Sequence, residues 1–191
     1  MRDYLQLPDG YRKLTDIDLM NNKKEMLLVN GAAVLLMVLC VLPAALRVPL
    51  AALFDTTDML AYALRFLALA GGTVLYLVLH ELVHGIFMWH YTKVKPRYGF
   101  TGMYAYAGSD AYFCRTHYLI IALAPVVIWG VVLAVLTAMA TPAWFWVVYG
   151  IQIFNISGAA GDLYVTIRLL RMPQDILITD SGVAMQVFCR E

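Results

Sequence analysis

Four stretches of the chain stay apolar for long enough to cross a lipid bilayer. A hydrocarbon core of about 30 Å needs about 20 predominantly apolar helical residues, and the stretches that reach this length are 26–46, 67–89, 118–140 and 144–163. The second could begin as early as Met59, which would place Arg65 in its first turns. The pattern therefore predicts a mainly α, integral membrane fold with four transmembrane helices, built as a single domain over residues 1–191.

Two segments outside these spans alternate small or polar residues with aromatic or aliphatic ones, a pattern that favours strands. They are residues 93–115, with an AGSD turn at 107–110, and residues 176–188, with a turn at 180–182. We predict a short β-hairpin in each, and the second could pair with the first or lie alone against the membrane surface. Residues 47–58 contain Pro49 and a DTTD sequence, which predict a loop.

The positions of Lys and Arg predict the orientation. Of the fourteen, five lie before the first span, four between the second and third, and three after the fourth, whereas Arg47 and Arg65 belong to the opposite side. Because Lys and Arg are enriched in cytoplasmic loops, we expect both termini and both hairpins to be cytoplasmic.

Composition agrees with a membrane protein and excludes several other classes. Hydrophobic residues make up 62% of the chain and charged residues 14%, with a mean hydropathy of +0.71, which excludes a soluble globule, a disordered chain and a coiled coil. The net charge of +1 offers no basic surface for nucleic acid. Three cysteines without a short spacing indicate free thiols, and the polar first 25 residues do not resemble a removable signal peptide.

Candidate chemistry comes from the Asp, Glu, Lys, Arg and His residues inside the predicted spans, which are His80, Glu81, His84 and Asp162. A charged group in the hydrocarbon region costs roughly 2.5 to 3.5 kcal/mol on insertion scales, so each is a candidate functional residue. His80 and His84 are one helical turn apart and present two nitrogens on one face. Glu81 lies beside them, where a general base stands in H-E-x-x-H metallohydrolases. We therefore predict a Zn²⁺ site.

A catalytic zinc ion needs three protein ligands and an open position. Asp162 is the favoured third ligand, because its distance from the end of its span matches the depth of the histidines and because small residues at 157–161 allow close helix approach. His90 and His117 are the alternatives. His90 has the spacing of the third zincin histidine, but Phe87 stands where that motif has its glycine.

Asn155 lies two turns before Asp162 on the same helix face, where it could bind a substrate carbonyl or a neighbouring helix. The sequences His80-Glu81-Leu82-Val83-His84-Gly85 and Asn155 to Asp162 resemble the bacterial membrane family of putative zincin peptidases, which is similar to site-2-protease-type intramembrane metalloproteases. The resemblance implies a zinc centre of His80, His84 and Asp162, with Glu81 as the catalytic base. The site-2 motif has Asn-Pro and Asp-Gly, whereas this chain has Asn155-Ile156 and Asp162-Leu163.

The expected function is therefore an intramembrane zinc metalloprotease of the bacterial cytoplasmic membrane. It would cleave a membrane protein or peptide near the cytoplasmic face, with the lipid bilayer as its other partner. Two alternatives stay open, namely a metal-binding but inactive membrane scaffold and a metal-ion transporter. Clustering of the ionisable residues at one depth, rather than in a series across the membrane, disfavours transport.

Overall fold

The computed structural model describes residues 2–19, 21–102, 104–182 and 184–190. Most of these residues are helical, and the rest form a small antiparallel sheet. The helices are α1 (Lys23–Arg47), α2 (Met59–Thr92), α3 (Arg115–Met139), α4 (Pro142–Gly158) and α5 (Ala160–Leu170), with a short 3₁₀ helix at Leu50–Phe54. The strands are β1 (Tyr11–Ile17), β2 (Arg97–Phe100), β3 (Ala105–Cys114), β4 (Ile176–Asp180) and β5 (Met185–Arg190).

Three of the helices, α1, α2 and α3, are long and apolar enough to cross a membrane. They contain most or all of the first three predicted spans, so the mainly α fold is confirmed. The longer alternative for the second span is correct, since α2 begins at Met59. The loop expected at 47–58 contains the 3₁₀ helix.

The fourth predicted span, 144–163, is not one helix. The helix α4 ends at Gly158, and α5 begins at Ala160. Between them Ala159 has a ψ of 10°, and its N–H bonds the nearby Ser157 carbonyl instead of continuing the helical ladder. Glycine is a poor helix former, and Gly158 and Gly161 flank the break. The run of small residues therefore interrupts the helix.

Both predicted hairpins form, and they join one sheet of order β1-β5-β4-β3-β2. The turn of the first hairpin was wrongly placed at 107–110, because Ala107–Asp110 lie within β3 and the chain reverses between the paired residues Phe100 and Ala105. Gly102 supplies the positive φ that this turn needs, at 89°. Gly108 serves a close approach instead, since a Cβ there would lie 2.4 Å from the Ser181 backbone.

The sheet unites the three Lys- and Arg-rich segments of the chain. The strand β1 comes from the N-terminal segment, β2 and β3 from the connection between α2 and α3, and β4 and β5 from the C-terminal segment. Sequence patterning did not predict β1, whose residues are mostly exposed. The three segments share one sheet, as expected if they lie on the same side of the membrane, which is what the positions of Lys and Arg predict.

The chain divides into two compact units. The first comprises residues 1–29, 79–125 and 161–191, and the second comprises residues 30–78 and 126–160. The core of the first unit includes the fully buried Phe113, Leu169 and Ile178. The second is packed around Trp146, whose indole N–H donates to the Val48 and Pro49 carbonyls at 3.2 Å each. The single domain expected for the whole chain stays a prediction.

Candidate metal centre

The two histidines of the motif lie one turn apart on α2, in the first unit. Their Nε2 atoms are 3.2 Å apart, the rings meet edge to face, and each residue is 8% exposed. The unbroken α2 helix accounts for this arrangement, because residues four apart project from the same face.

Asp162 brings its carboxylate to the same point from α5, also in the first unit. One oxygen, Oδ2, lies 3.4 Å from His80 Nε2, and the other, Oδ1, lies 3.6 Å from His84 Nε2. The helix break at Ala159 places Asp162 in the first turn of a new helix, where the helix dipole favours a carboxylate. The interruption that sequence patterning missed therefore contributes to the position of this side chain.

The separations among these donor atoms fit a metal ion better than hydrogen bonds. Ligands about 2.0 to 2.1 Å from a tetrahedral zinc ion lie about 3.3 Å from one another, close to the observed 3.2, 3.4 and 3.6 Å. A direct N–H to oxygen bond would be about 2.9 Å long. Two imidazoles and a carboxylate are also ordinary zinc ligands, so the side chains present fit this metal.

A hydrogen bond of His84 leaves the required lone pair free. Its Nδ1 donates to the Ile121 carbonyl at 2.9 Å, so in the neutral ring Nε2 carries no proton. The bare Nε2 and the Asp162 carboxylate are then both acceptors, and a cation between them would satisfy both. Such a bond to the second nitrogen is common in metal-bound histidines because it fixes the tautomer and the ring orientation.

Pro125 explains why the Ile121 carbonyl is available. In a regular α-helix this carbonyl would accept the N–H four residues later, and Pro125, which lies inside α3, has no N–H. The freed acceptor therefore bonds His84 instead. The sequence signal for this role was a proline inside an apolar span, four residues after an interior carbonyl.

Glu81 is half-buried beside the histidines, and one carboxylate oxygen lies within 4.8 Å of a nitrogen from each ring. The backbone N–H of Ala107, in β3, lies near this carboxylate. Tyr98, the partner of Ala107 in β2, lays its hydroxyl against Gly85, where a Cβ would lie only 2.0 Å away. Burial and the nearby Glu81 raise the pKa of the Tyr98 phenol. Sequence reasoning missed both strand residues.

The alternative third ligands lie elsewhere. His90 is exposed and contacts Tyr91, whereas Nδ1 of His117 pairs with Asp3 Oδ2 at 2.6 Å. Neither belongs to the cluster that contains His80 and His84.

Asn155 belongs to the second unit and is fully buried. Its amide accepts from the Tyr76 hydroxyl at 3.1 Å and donates to the Val126 carbonyl at 3.2 Å. These bonds match the helix-packing alternative of the sequence analysis, and a contact with substrate stays a prediction.

Comparison with known proteins adds one finding. The profile of a protein family described as "Putative zincin peptidase" matches residues 73–177, more than half of the 191-residue chain. This range includes His80, Glu81, His84 and Asp162. No curated protein and no solved structure matches the chain. The chain belongs to the putative zincin peptidase family.

Proposed function

We propose that the protein is an intramembrane zinc metallopeptidase that hydrolyses peptide bonds of membrane-associated proteins or peptides near the cytoplasmic face. The observation that carries the proposal is the approach of Asp162 to the two motif histidines. These side chains come from two helices about eighty residues apart in sequence, and the 3.4 and 3.6 Å separations leave room for a cation but are long for hydrogen bonds.

In this proposal His80, His84 and Asp162 hold the zinc ion. Zinc bound there would lower the pKa of a water ligand and polarise the scissile carbonyl. Glu81 accepts the proton of the attacking water and then delivers it to the leaving amine, which completes hydrolysis without a covalent intermediate. The Ala107 N–H lies near the Glu81 carboxylate, which stands beside the histidines. All four side chains in this scheme belong to the first unit.

The membrane location is part of the proposal. The helices α1, α2 and α3 supply three candidate crossings. Because α3 leaves the sheet at β3 and the chain rejoins the same sheet at β4, we infer that α4 and α5 together make the fourth. Alkaline phosphatase fused after Ala140 should then be active outside the cytoplasm, and a fusion after Arg190 should be inactive. The reverse pattern would contradict cytoplasmic termini.

The decisive experiment separates metal binding from catalysis. Purified protein should contain zinc. His80→Ala and Asp162→Ala should each lower the zinc content by about one ion per chain, and His90→Ala, a control on the same helix, should leave it unchanged. Glu81→Gln should retain the zinc and lower hydrolysis of a membrane-associated peptide by about 10²- to 10⁴-fold, the usual contribution of a general base. Equal zinc content in the wild type and the Asp162→Ala variant would refute the site.

The other candidate functions predict different results. An inactive scaffold would bind zinc, and Glu81→Gln would then change no measured property. A transporter would move zinc into reconstituted vesicles. Either result would refute the peptidase while leaving the metal centre in place.

A further inference from the structure

A second group of metal-ligating side chains lies in the first unit, apart from the centre described above. Asp3, Cys114 and His117 bring a carboxylate oxygen, a thiol and an imidazole nitrogen within 4.8 Å of one another. The His117 Nδ1 to Asp3 Oδ2 distance is 2.6 Å, and the Cys114 backbone N–H donates to Asp3 Oδ1 at 2.8 Å. Among the described residues this is the other cluster of three potential metal ligands.

Three segments of the chain hold this cluster together. Cys114 ends β3, and His117 lies in the first turn of α3, so the two follow a Cys-x-x-His spacing across a strand-to-helix junction. Asp3 arrives from the N-terminal segment, which is fixed by a pair of 2.8 Å backbone hydrogen bonds between Tyr4 and Tyr112. The Tyr91 ring stacks on His117, with centroids 3.9 Å apart and planes at 6°. The imidazole is therefore oriented before any ligand arrives.

Burial distinguishes the cluster from a surface group of polar side chains. Cys114 is 1% exposed, and the side chains of Asp3 and His117 are 7% and 31% exposed. A buried carboxylate beside a buried thiol needs compensating positive charge. The greater exposure of His117 leaves one side open to solvent.

We propose that Asp3, Cys114 and His117 form a second divalent-cation site, selective for a borderline-soft metal such as zinc. A thiolate and a carboxylate together balance the charge of a divalent cation, and the neutral imidazole adds a third donor. Mixed sulfur, nitrogen and oxygen ligands favour zinc over magnesium or calcium. Binding breaks the Cys114 S–H bond, and this proton passes to solvent. The proton on His117 Nδ1 moves to Nε2, which leaves the ring neutral and Nδ1 free to bind the metal.

The geometry requires a small adjustment. Nitrogen and oxygen ligands of one zinc ion lie about 3.3 Å apart, so the 2.6 Å contact between His117 and Asp3 must lengthen by about 0.7 Å. Rotation of the Asp3 side chain can provide this, since Asp3 lies in a short segment without regular secondary structure. The bound ion would tie the N-terminal segment to the junction of β3 and α3.

Cobalt substitution tests this site independently of peptidase activity. The first centre contains nitrogen and oxygen ligands, so a thiolate-to-cobalt charge-transfer band in the full-length protein can come only from a cysteine site. We expect zinc-free wild type titrated with Co²⁺ to develop this band. Cys114→Ser should abolish it, whereas the matched controls Cys40→Ser and Cys189→Ser should keep it.

Metal counting gives the second readout. The wild type should bind about two zinc ions per chain, and Cys114→Ser or Asp162→Ala should each bind about one. Absence of the thiolate band from cobalt-loaded wild type would overturn the proposal, even if a variant failed to fold. Loss of the thiolate band in Cys40→Ser or Cys189→Ser would also overturn the proposal. So would a count of one zinc ion in both the wild type and Cys114→Ser. Asp3 and His117 would then form an ion pair only.

Discussion

Replacing Pro125 by alanine should weaken zinc binding without destabilising the zinc-free protein. The substitution restores an N–H four residues after Ile121, and this N–H competes with His84 Nδ1 for the Ile121 carbonyl. The His84 imidazole then loses the bond that fixes its tautomer and its orientation. The expected defect lies in the metal centre, although the substituted residue is not a proposed ligand.

The two effects have opposite signs. Loss of a hydrogen-bonding partner of a metal ligand typically lowers metal affinity 10- to 100-fold, which corresponds to about 1.4 to 2.8 kcal/mol. Removing a proline from a helix interior favours the helix by about 3 kcal/mol. Loss of two methylene groups from the buried ring costs about 1.6 kcal/mol. The zinc-free protein should therefore be as stable as the wild type or about 1 kcal/mol more stable.

Competition titration with a zinc chelator measures the affinity, and thermal unfolding of the zinc-free protein in detergent measures the stability. Pro43→Ala supplies a control, because Pro43 also lies inside a helix but belongs to α1, outside the proposed site. It should leave zinc affinity unchanged. Wild-type zinc affinity in Pro125→Ala would refute the role assigned to the Ile121 carbonyl, and an equal loss in both variants would indicate a general effect on the helices.

Two further predictions concern neighbours of the centre. Gly85→Ala should destabilise the wild type by about 1 kcal/mol, because the new Cβ overlaps the Tyr98 hydroxyl. In a Tyr98→Ala background the same change should be neutral or stabilising; denaturant unfolding of the four proteins measures both effects, and equal costs in the two backgrounds would contradict the contact. Burial raises the pKa of Asp180, which accepts from the Tyr118 hydroxyl. Because a raised carboxyl pKa penalises the ionised form, the contribution of Asp180 to the stability of the zinc-free wild type should fall as the pH rises above about 3.8 through the folded-state pKa. Thermal unfolding of both proteins over this pH range should show that the wild type loses stability relative to Asp180→Asn. Parallel pH dependences of the two melting temperatures would contradict the role given to Asp180.

The candidate site could be predicted from the sequence because charged residues and histidines are rare in apolar spans, so the few that occur there are candidate functional residues. Within the predicted spans His80, Glu81, His84 and Asp162 are the only Asp, Glu, Lys, Arg or His residues, and the helical repeat places the two histidines on one face. The structure brings both histidines and the distant carboxylate together. This grouping could be inferred because every ionisable group in an apolar environment needs a partner.

Sequence patterning was less informative where one residue type serves two purposes. Gly108 suggested a turn, but it permits close approach of β3 to the Ser181 backbone, while Gly102 makes the turn. The strand β1 was missed because its side chains are mostly exposed and lack a regular apolar alternation. Ala107 was missed because it is its backbone N–H that lies near Glu81, and every residue except proline carries that group.

A proline inside α3 and the break between α4 and α5 both contribute to the candidate centre, and neither favours helix stability by itself. The break at Ala159 starts the helix that carries Asp162 in its first turn, and Pro125 frees the carbonyl that holds His84. Breaks in apolar helices persist only when the freed backbone groups find other partners. Here the freed Ile121 carbonyl finds its partner in His84, which is itself a candidate metal ligand. Substitutions that make these helices more regular should therefore act first on metal binding and only afterwards on folding.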